Sequence, residues 1–279
     1  MALATSAKKK TNWAHEAWQL FLLALAVLAV HSLLAKPFFI PSGSMLPTLL
    51  IGDQLIVSKF PYGYSYLSPS LPILPEMAGR ILGRLPERGD IAVIKSPREH
   101  ADYIKRVIGL PGDTVQMKGG VLWLNGVAVP KVAKGTVDLV ESPNTDCNSS
   151  ASPETRIVRA DGTGVCRVNV FRETLPGGRG YDVIDLGDRP QDNTAPEVVP
   201  EGHIFLMGDN RDNSEDSRFP AEVGGLGMLP LENLVGRAEF LTYSVDGSWT
   251  LDPRTWFAAL RGGRAFTSLH PRTDPAPSK

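Results

Sequence analysis

A membrane-length apolar run near the start constrains this chain more than anything else in it. Ala17–Ala35 holds nineteen residues, of which only Gln19, His31 and Ser32 are polar. As a helix rising ~1.5 Å per residue, it matches the ~30 Å hydrocarbon thickness of a bilayer. Trp13 and Trp18 stand where an interfacial aromatic belt lies. Lys8, Lys9 and Lys10 precede the run, and only Lys36 follows it directly. That bias puts the N-terminus in the cytoplasm and the rest of the chain on the outer side. A cleaved signal peptide is the rival reading, but the run is long for one. His31, near the outer end, reads as a snorkelling or helix-packing residue. No other stretch reaches membrane length, so one span is expected.

Beyond the span, 279 residues suffice for one or two domains with a sizeable core. Twenty-seven glycines and 23 prolines imply many turns and short strands. A net charge of −1 gives no reason to expect a nucleic-acid partner. Cys147 and Cys166 are too few for a zinc site. They form either one disulfide on the outer side or two buried thiols.

Nine residues past the run comes Ser44, inside IPSGSMLPTL at 40–49. Pro41 and Pro47 exclude regular helix or central strand. Gly43 permits a close approach of another chain, and Ser42 adds a second hydroxyl. Such a serine is a candidate nucleophile beside hydrogen-bond donors, and a polar turn is the plainer reading. Nine extended residues reach at most about 30 Å, so Ser44 stays near the membrane surface.

Two further polar stretches lie downstream. DYIKRVIGLPGD, 102–113, alternates with period two, which puts Lys105 on one face with Tyr103 and Val107. Burial there disfavours the ammonium, and a neutral Lys105 can serve as general base for Ser44. A lysine snorkelling from a sheet face is the alternative. Gly208–Arg218, GDNRDNSEDSR, has no aliphatic side chain. It is either a solvated loop or a site organiser in which Ser214 aims the amine and Asp216 pairs with Arg218. Val115–Met117, Val121–Leu124 and Val127–Val129 read as a meander turning at Gly119-Gly120 and Asn125-Gly126. Residues 131–199 read as a partly exposed antiparallel β insertion with no legible chemistry. Pro253–Leu269 reads as a basic amphipathic segment, for a membrane surface or as an ordinary helix.

Four motifs in this order resemble the bacterial type I signal peptidases: PSGSMLPTL (41–49), GDQLIVSKFPYG (52–63), RGDIAVIKSP through YIKRVIGLPGD (88–113) and GDNRDNSEDSR (208–218). The resemblance implies a serine protease with a Ser–Lys dyad, Ser44 as nucleophile and Lys105 as general base. It implies an oxyanion hole from Ser42 and the Ser44 N–H, with Ser214, Asp216 and Arg218 in support. Pockets for small side chains, the Ala-X-Ala preference, fall on Ile40, Pro41, Met45, Leu49, Tyr103 and Ile104, and on Phe38, Ile40, Leu55 and Ile104. The implied partners are preprotein signal peptides and the lipid bilayer, with the secretion translocon nearby. No cofactor and no metal are implied.

The expected fold is mainly β: an antiparallel catalytic core carrying a β insertion, behind one transmembrane helix. The expected division is a cytoplasmic tail 1–12, an anchor 13–35, a core 36–130 and 200–260, the insertion 131–199, and a C-terminal tail 261–279. Two departures from the family pattern stand out. Many Gram-negative members have two spans, and Phe219–Leu226 separates the third motif from its usual Gly-x-Val-Pro, here Gly227-Met228-Leu229-Pro230. Two other readings stay open. One is a Ser-His-Asp hydrolase using His100 or His203. The other is a non-catalytic membrane-tethered β module.

Overall fold

Asn12 caps the first helix by accepting the His15 N–H, and α1 runs Trp13–Leu33. The computed structural model describes residues 12–71 and 74–274. The expected cytoplasmic lysines and the last Pro-rich residues therefore lie outside it. Among the described residues α1 alone is long and apolar enough to cross a membrane, and none of it is buried against the protein. It starts before the apolar run and stops short of Ala35. Pro37 cannot continue a helix, and the chain passes instead into β1, Ala35–Phe39. That strand lies at a sheet edge, where a missing donor is tolerated.

Seven antiparallel strands form the sheet that carries the site. Their order is β1, β2 (Asp53–Ser58), β15 (Leu234–Ser244), β3 (Ile91–Lys95), β4 (Asp102–Gly109), β13 (His203–Met207) and β14 (Leu229–Pro230). A four-stranded sheet continues from it: β12 (Glu197–Val198), β5 (Thr114–Lys118), β6 (Val121–Leu124) and β7 (Val127–Ala128). Its turns fall at Gly119-Gly120 and Asn125-Gly126, all four with positive φ, as tight hairpin turns require. The third sheet orders β16 (Arg272–Thr273), β11 (Arg179–Ile184), β10 (Gly164–Thr174) and β8 (Lys131–Val140), with β9 (Arg156–Val158) beside β10. The fold is thus mainly antiparallel β with few helices. Short α2 (Cys147–Ser150) and α3 (Arg254–Ala258) complete it.

Side-chain alternation divides the core. On β4, Ile104 faces a cluster with Ile40, Met45, Leu49 and Leu55, while Tyr103 and Val107 face another with Tyr62, Ala92 and Ile94. Cys147 and Cys166 are joined in a disulfide that ties α2 to β10. The segment read as a C-terminal tail packs on the core over its described part. Leu269 joins the cluster around Ile40, Arg264 pairs with Asp53, and β16 pairs with β11. The amphipathic segment 253–269 forms only the five-residue α3, and its remainder follows the sheet edge, with Phe240 and Ser268 bridged.

Candidate active site

The first polar stretch is a loop with its two ends pinned together. Ile40 N–H donates to the Asp53 carbonyl and Gly52 N–H to the Ile40 carbonyl, both at 2.9 Å. Pro41–Ile51 therefore leaves the sheet at β1 and returns at β2. Inside the loop the Asp53 carboxylate accepts the Leu50 N–H, and Arg264 donates to the Thr48 carbonyl. The Leu46–Pro47 peptide is cis. Asn210 holds the top of the loop: its backbone N–H donates to the Ser44 carbonyl at 3.0 Å and its side chain to the Gly43 carbonyl at 3.1 Å. Ser44 Oγ is thereby presented to one wall of the cleft.

Lys105 meets it there. The amine donates to Ser44 Oγ at 2.8 Å, although 61 residues separate them. β4 supplies the lysine from a rung where it pairs with Ala92, whose small side chain leaves room for the long stem. Lys105 is 2% exposed, and the Tyr103 ring lies 5.9 Å from its amine. Burial lowers the amine to about 8, against the pull of Asp216 and with the help of Arg218. The neutral fraction at pH 7 becomes about a tenth, some three-hundredfold above that of an ordinary lysine. Folding bears the cost. The unfolded chain binds more protons between pH 8 and 10.5, so stability climbs with pH through that window, and below it this lysine subtracts roughly 3 kcal/mol.

Ser42 Oγ stands 3.5 Å from Ser44 Oγ. Asp216 and Arg218, both fully buried, pair at 2.9 Å, and the Asp216 carboxylate also accepts the Gly208 N–H. Burial opposes the Asp216 charge, but the Arg218 guanidinium outweighs it and holds the acid below the usual carboxylate range. Ser214 lines the same cleft, yet its buried hydroxyl makes no hydrogen bond among the described residues. The expected bond to the Lys105 amine is not formed, although that amine has donors to spare beyond the one given to Ser44. Gly208 explains how close these pieces sit. A Cβ there would strike the Ser214 side chain and come within 2.6 Å of the Ser44 carbonyl oxygen.

A buried ionic frame holds the third stretch. The Arg106 guanidinium grips Asp209 with two bonds of 2.7 and 2.5 Å, lies 4.3 Å from the Tyr181 ring and donates to the Gly89 carbonyl. Asp209 in turn accepts the Thr48 hydroxyl of the Ser44 loop at 2.6 Å. Arg211 makes a two-pronged pair with Glu173, which also accepts the Tyr181 hydroxyl. Glu173 and Tyr181 come from the insertion read as chemically silent, so that segment braces the site. Asn210 extends the brace by donating to the Ser150 carbonyl beside the disulfide. Sequence reasoning did not single out Gly208, Asn210, Arg106, Thr48, Glu173 or Arg264. Gly208 and Asn210 sit inside GDNRDN, Arg106 inside YIKRVIG and Thr48 inside PSGSMLPTL, whereas Glu173 and Arg264 lie in none of the four motifs.

The cleft over Ser44 measures about 570 Å³. Of the residues expected to line side-chain pockets, Pro41 and Tyr103 face it. Ile40, Met45, Leu49, Leu55 and Ile104 form the buried cluster under the loop, with Phe38 packed against it. No histidine lines the cleft among the described residues. His203 turns its ring to the Glu201 carbonyl, and His100 lines a separate hollow.

The chain matches the Peptidase S26 family, described as signal peptidase, over residues 11–243. It is 34% identical to a signal peptidase I of Rickettsia typhi, over 90% of this chain and 91% of that one. It is 33% identical to the Rickettsia massiliae protein of the same name, over 94% and 96%. The chain belongs to the S26 signal peptidase family. A solved signal peptidase I from Enterococcus faecalis V583 aligns at 25% identity over 55% of this chain and 97% of that one, with a TM-score of 0.29, and the assignment does not rest on it. The S26 match takes in α1 and all three polar stretches, and it ends before Trp249 and α3.

Proposed function

We propose that this chain is a membrane-anchored signal peptidase I that cuts exported preproteins through a Ser44–Lys105 dyad. One observation carries the reading: a buried amine with a lowered pKa lies 2.8 Å from a serine hydroxyl at the wall of an open cleft. The neutral Lys105 Nζ takes the Ser44 Oγ proton as Oγ attacks the carbonyl after a small residue. The Ser44 N–H and the Ser42 hydroxyl receive the charge that develops on the carbonyl oxygen. The Lys105 ammonium then gives its proton to the leaving amine. An acyl-enzyme remains on Ser44, and water deprotonated by Lys105 releases it. Ser214 steers the amine as it changes charge, and the Asp216–Arg218 pair fixes the loop that bears Ser214. The buried cluster of Ile40, Met45, Leu49, Leu55 and Ile104 leaves little depth below the loop, in keeping with small side chains before the cut and an Ala-X-Ala preference.

The anchor reading rests on α1, with the N-terminus cytoplasmic and residues 36–279 on the outer face. The substrate then presents its bond beside the bilayer, near the secretion translocon. Exposed Trp249, Trp256 and Phe257, grouped with Phe39 around one hollow, add an apolar surface that suits contact with lipid. We assign the catalytic core to 36–130 and 200–260 and the insertion to 131–199.

The pH profile tests the chemistry. Cleavage needs the unprotonated amine, so kcat/KM for a preprotein rises with pH up to about 8 and levels off above it. A profile flat from pH 6 to 9 contradicts a lysine base. Gly208→Ala gives a second check. The added methyl pushes Ser214 and the Ser44 carbonyl apart, and a displacement near 1 Å costs about a hundredfold in rate. Thermal melts report whether that variant stays folded. Unchanged kcat/KM would remove Gly208 from the account. A histidine base would show itself by loss of cleavage in His100→Ala or His203→Ala, and both are expected to cut normally.

A further inference from the structure

The outer end of α1 opens onto two adjoining hollows that the proposed chemistry does not use. The first, about 430 Å³, is lined by Lys36, Lys59, Lys95, Glu76 and Asp102. Asp102 takes Lys95 at 2.8 Å. Lys59 is 2% exposed, and its amine donates to the Ser68 carbonyl. The Lys36 amine lies 5.1 Å from the Phe38 ring. Among the described residues neither Lys36 nor Lys59 pairs with a carboxylate. The two lysines share a face of the β1–β2 ribbon. Lys36 is opposite Val57, and Lys59 is two rungs on, its N–H bonded to the Leu34 carbonyl. Burial and the nearby Lys36 both weaken the hold of Lys59 on its proton, against the pull of Asp102. A buried cation beside a second cation is costly when the nearby Asp102 is taken by Lys95 and no carboxylate touches either amine, and an anion between them lowers the cost.

The second hollow, about 630 Å³, shares Tyr66, Pro69 and Leu74 with the first. Its walls are otherwise largely apolar: Leu33 at the end of α1, then Met77 and Ile81. The loop that forms it is fastened at both sides. The Tyr64 hydroxyl donates to the Leu33 carbonyl, and Ser70 N–H donates to the Ser32 hydroxyl. Arg80 forks onto the carbonyls of Tyr62, Gly63, Leu231 and Leu234. Yet the loop leaves Ile81 73% and Leu82 78% exposed, with Met77 and Leu74 beside them. Built structure that displays aliphatics at the end of a membrane-length helix suits a lipid surface and not water.

We propose that the two hollows together bind one anionic phospholipid, its phosphate between Lys36 and Lys59 and an acyl chain in the cleft from Leu33 to Ile81. The proposal rests on the reading of α1 as a membrane span. The sizes fit, since each hollow lies within the range of small-molecule sites. The occupant is a lipid and not a soluble anion, because the lysine-lined hollow opens into the apolar one at the end of α1, and a phospholipid carries a phosphate and an acyl chain on one molecule.

The test uses the full chain purified in detergent micelles doped with dioleoyl phosphatidylglycerol, with bound lipid counted by native mass spectrometry. Wild type is expected to retain one phosphatidylglycerol. Lys36→Glu and Ile81→Asp are each expected to lower its occupancy about tenfold, and millimolar inorganic phosphate is expected to leave it unchanged. Both positions are partly or fully exposed, so the folds should survive, and far-ultraviolet circular dichroism checks this. Equal retention by wild type and both variants overturns the proposal. So does displacement by inorganic phosphate with no effect of Ile81→Asp, which describes a simple anion site. Displacement of the lipid by a synthetic signal peptide, with Lys36→Glu binding that peptide normally, overturns it too and makes the cleft a substrate surface. Flotation of the same proteins with vesicles separates the two layers. A wild type that does not float defeats the anchor reading, whereas a floating one with variant-insensitive lipid defeats only the site.

Discussion

Lys105→Met is expected to yield a protein that is more stable than wild type and does not cut. Methionine keeps the apolar stem and removes the charge whose burial pulls the amine down to about 8. Relief of that desolvation should raise stability near pH 7 by about 1–3 kcal/mol. Cleavage should fall by on the order of 10⁴-fold or more, because nucleophile and base act as one unit. Ser44→Ala should fall as far, and combining the two should cost little beyond either alone. Opposite signs for stability and rate separate this account from a structural role for the lysine. A structural lysine would lose both together. Activity in Lys105→Met within tenfold of wild type would contradict the dyad.

Arg211→Met is expected to have the largest effect on stability. The guanidinium and Glu173 are both buried, and the two bonds between them measure 2.5 and 2.6 Å. Removing the cation leaves Glu173 charged and unpaired in the interior, which costs about 3–5 kcal/mol. Arg211 also donates to the Gly208 carbonyl, so the loop bearing Ser214 loosens in the same variant. Arg211→Met with Glu173→Leu should recover most of the loss, since an apolar pair can replace a buried ionic one. Urea unfolding of the full chain in detergent measures all three. A loss below about 1 kcal/mol in the single variant would show that the pair does not bind the insertion to the core.

Local signals explain what the sequence made legible. Period-two alternation marked β4 and put Lys105 on the face of Tyr103 and Val107, where the structure has it. Glycine pairs and Asn125-Gly126 marked the hairpins because only those residues enter left-handed turns cheaply. Four ordered motifs carried the family. Pairings between distant residues were not legible. Arg106 reads as one more strand residue, and nothing local says that Asp209, 103 positions on, will take it. Nothing in the insertion marked Glu173, yet it is fully buried against Arg211. Whether the cysteines pair also stayed open, since spacing cannot report which strands meet. The C-terminal segment was legible only in part, for a related reason. Its apolar and basic residues suggested an amphipathic segment, for a membrane surface or as an ordinary helix, but not that Arg261 and Arg264 would bond to Ile51, Asp53 and Thr48 at the base of the Ser44 loop.

The most direct measurement is the titration of Lys105 itself. Lysine labelled with ¹³C at Cε, in the full chain in micelles, reports each amine by its shift, and Lys105→Met identifies the resonance. The account predicts a midpoint near pH 8, coincident with the rise in preprotein cleavage. A midpoint near 10.5, the value of a solvated lysine, would leave Ser44 without a base at neutral pH and contradict the mechanism.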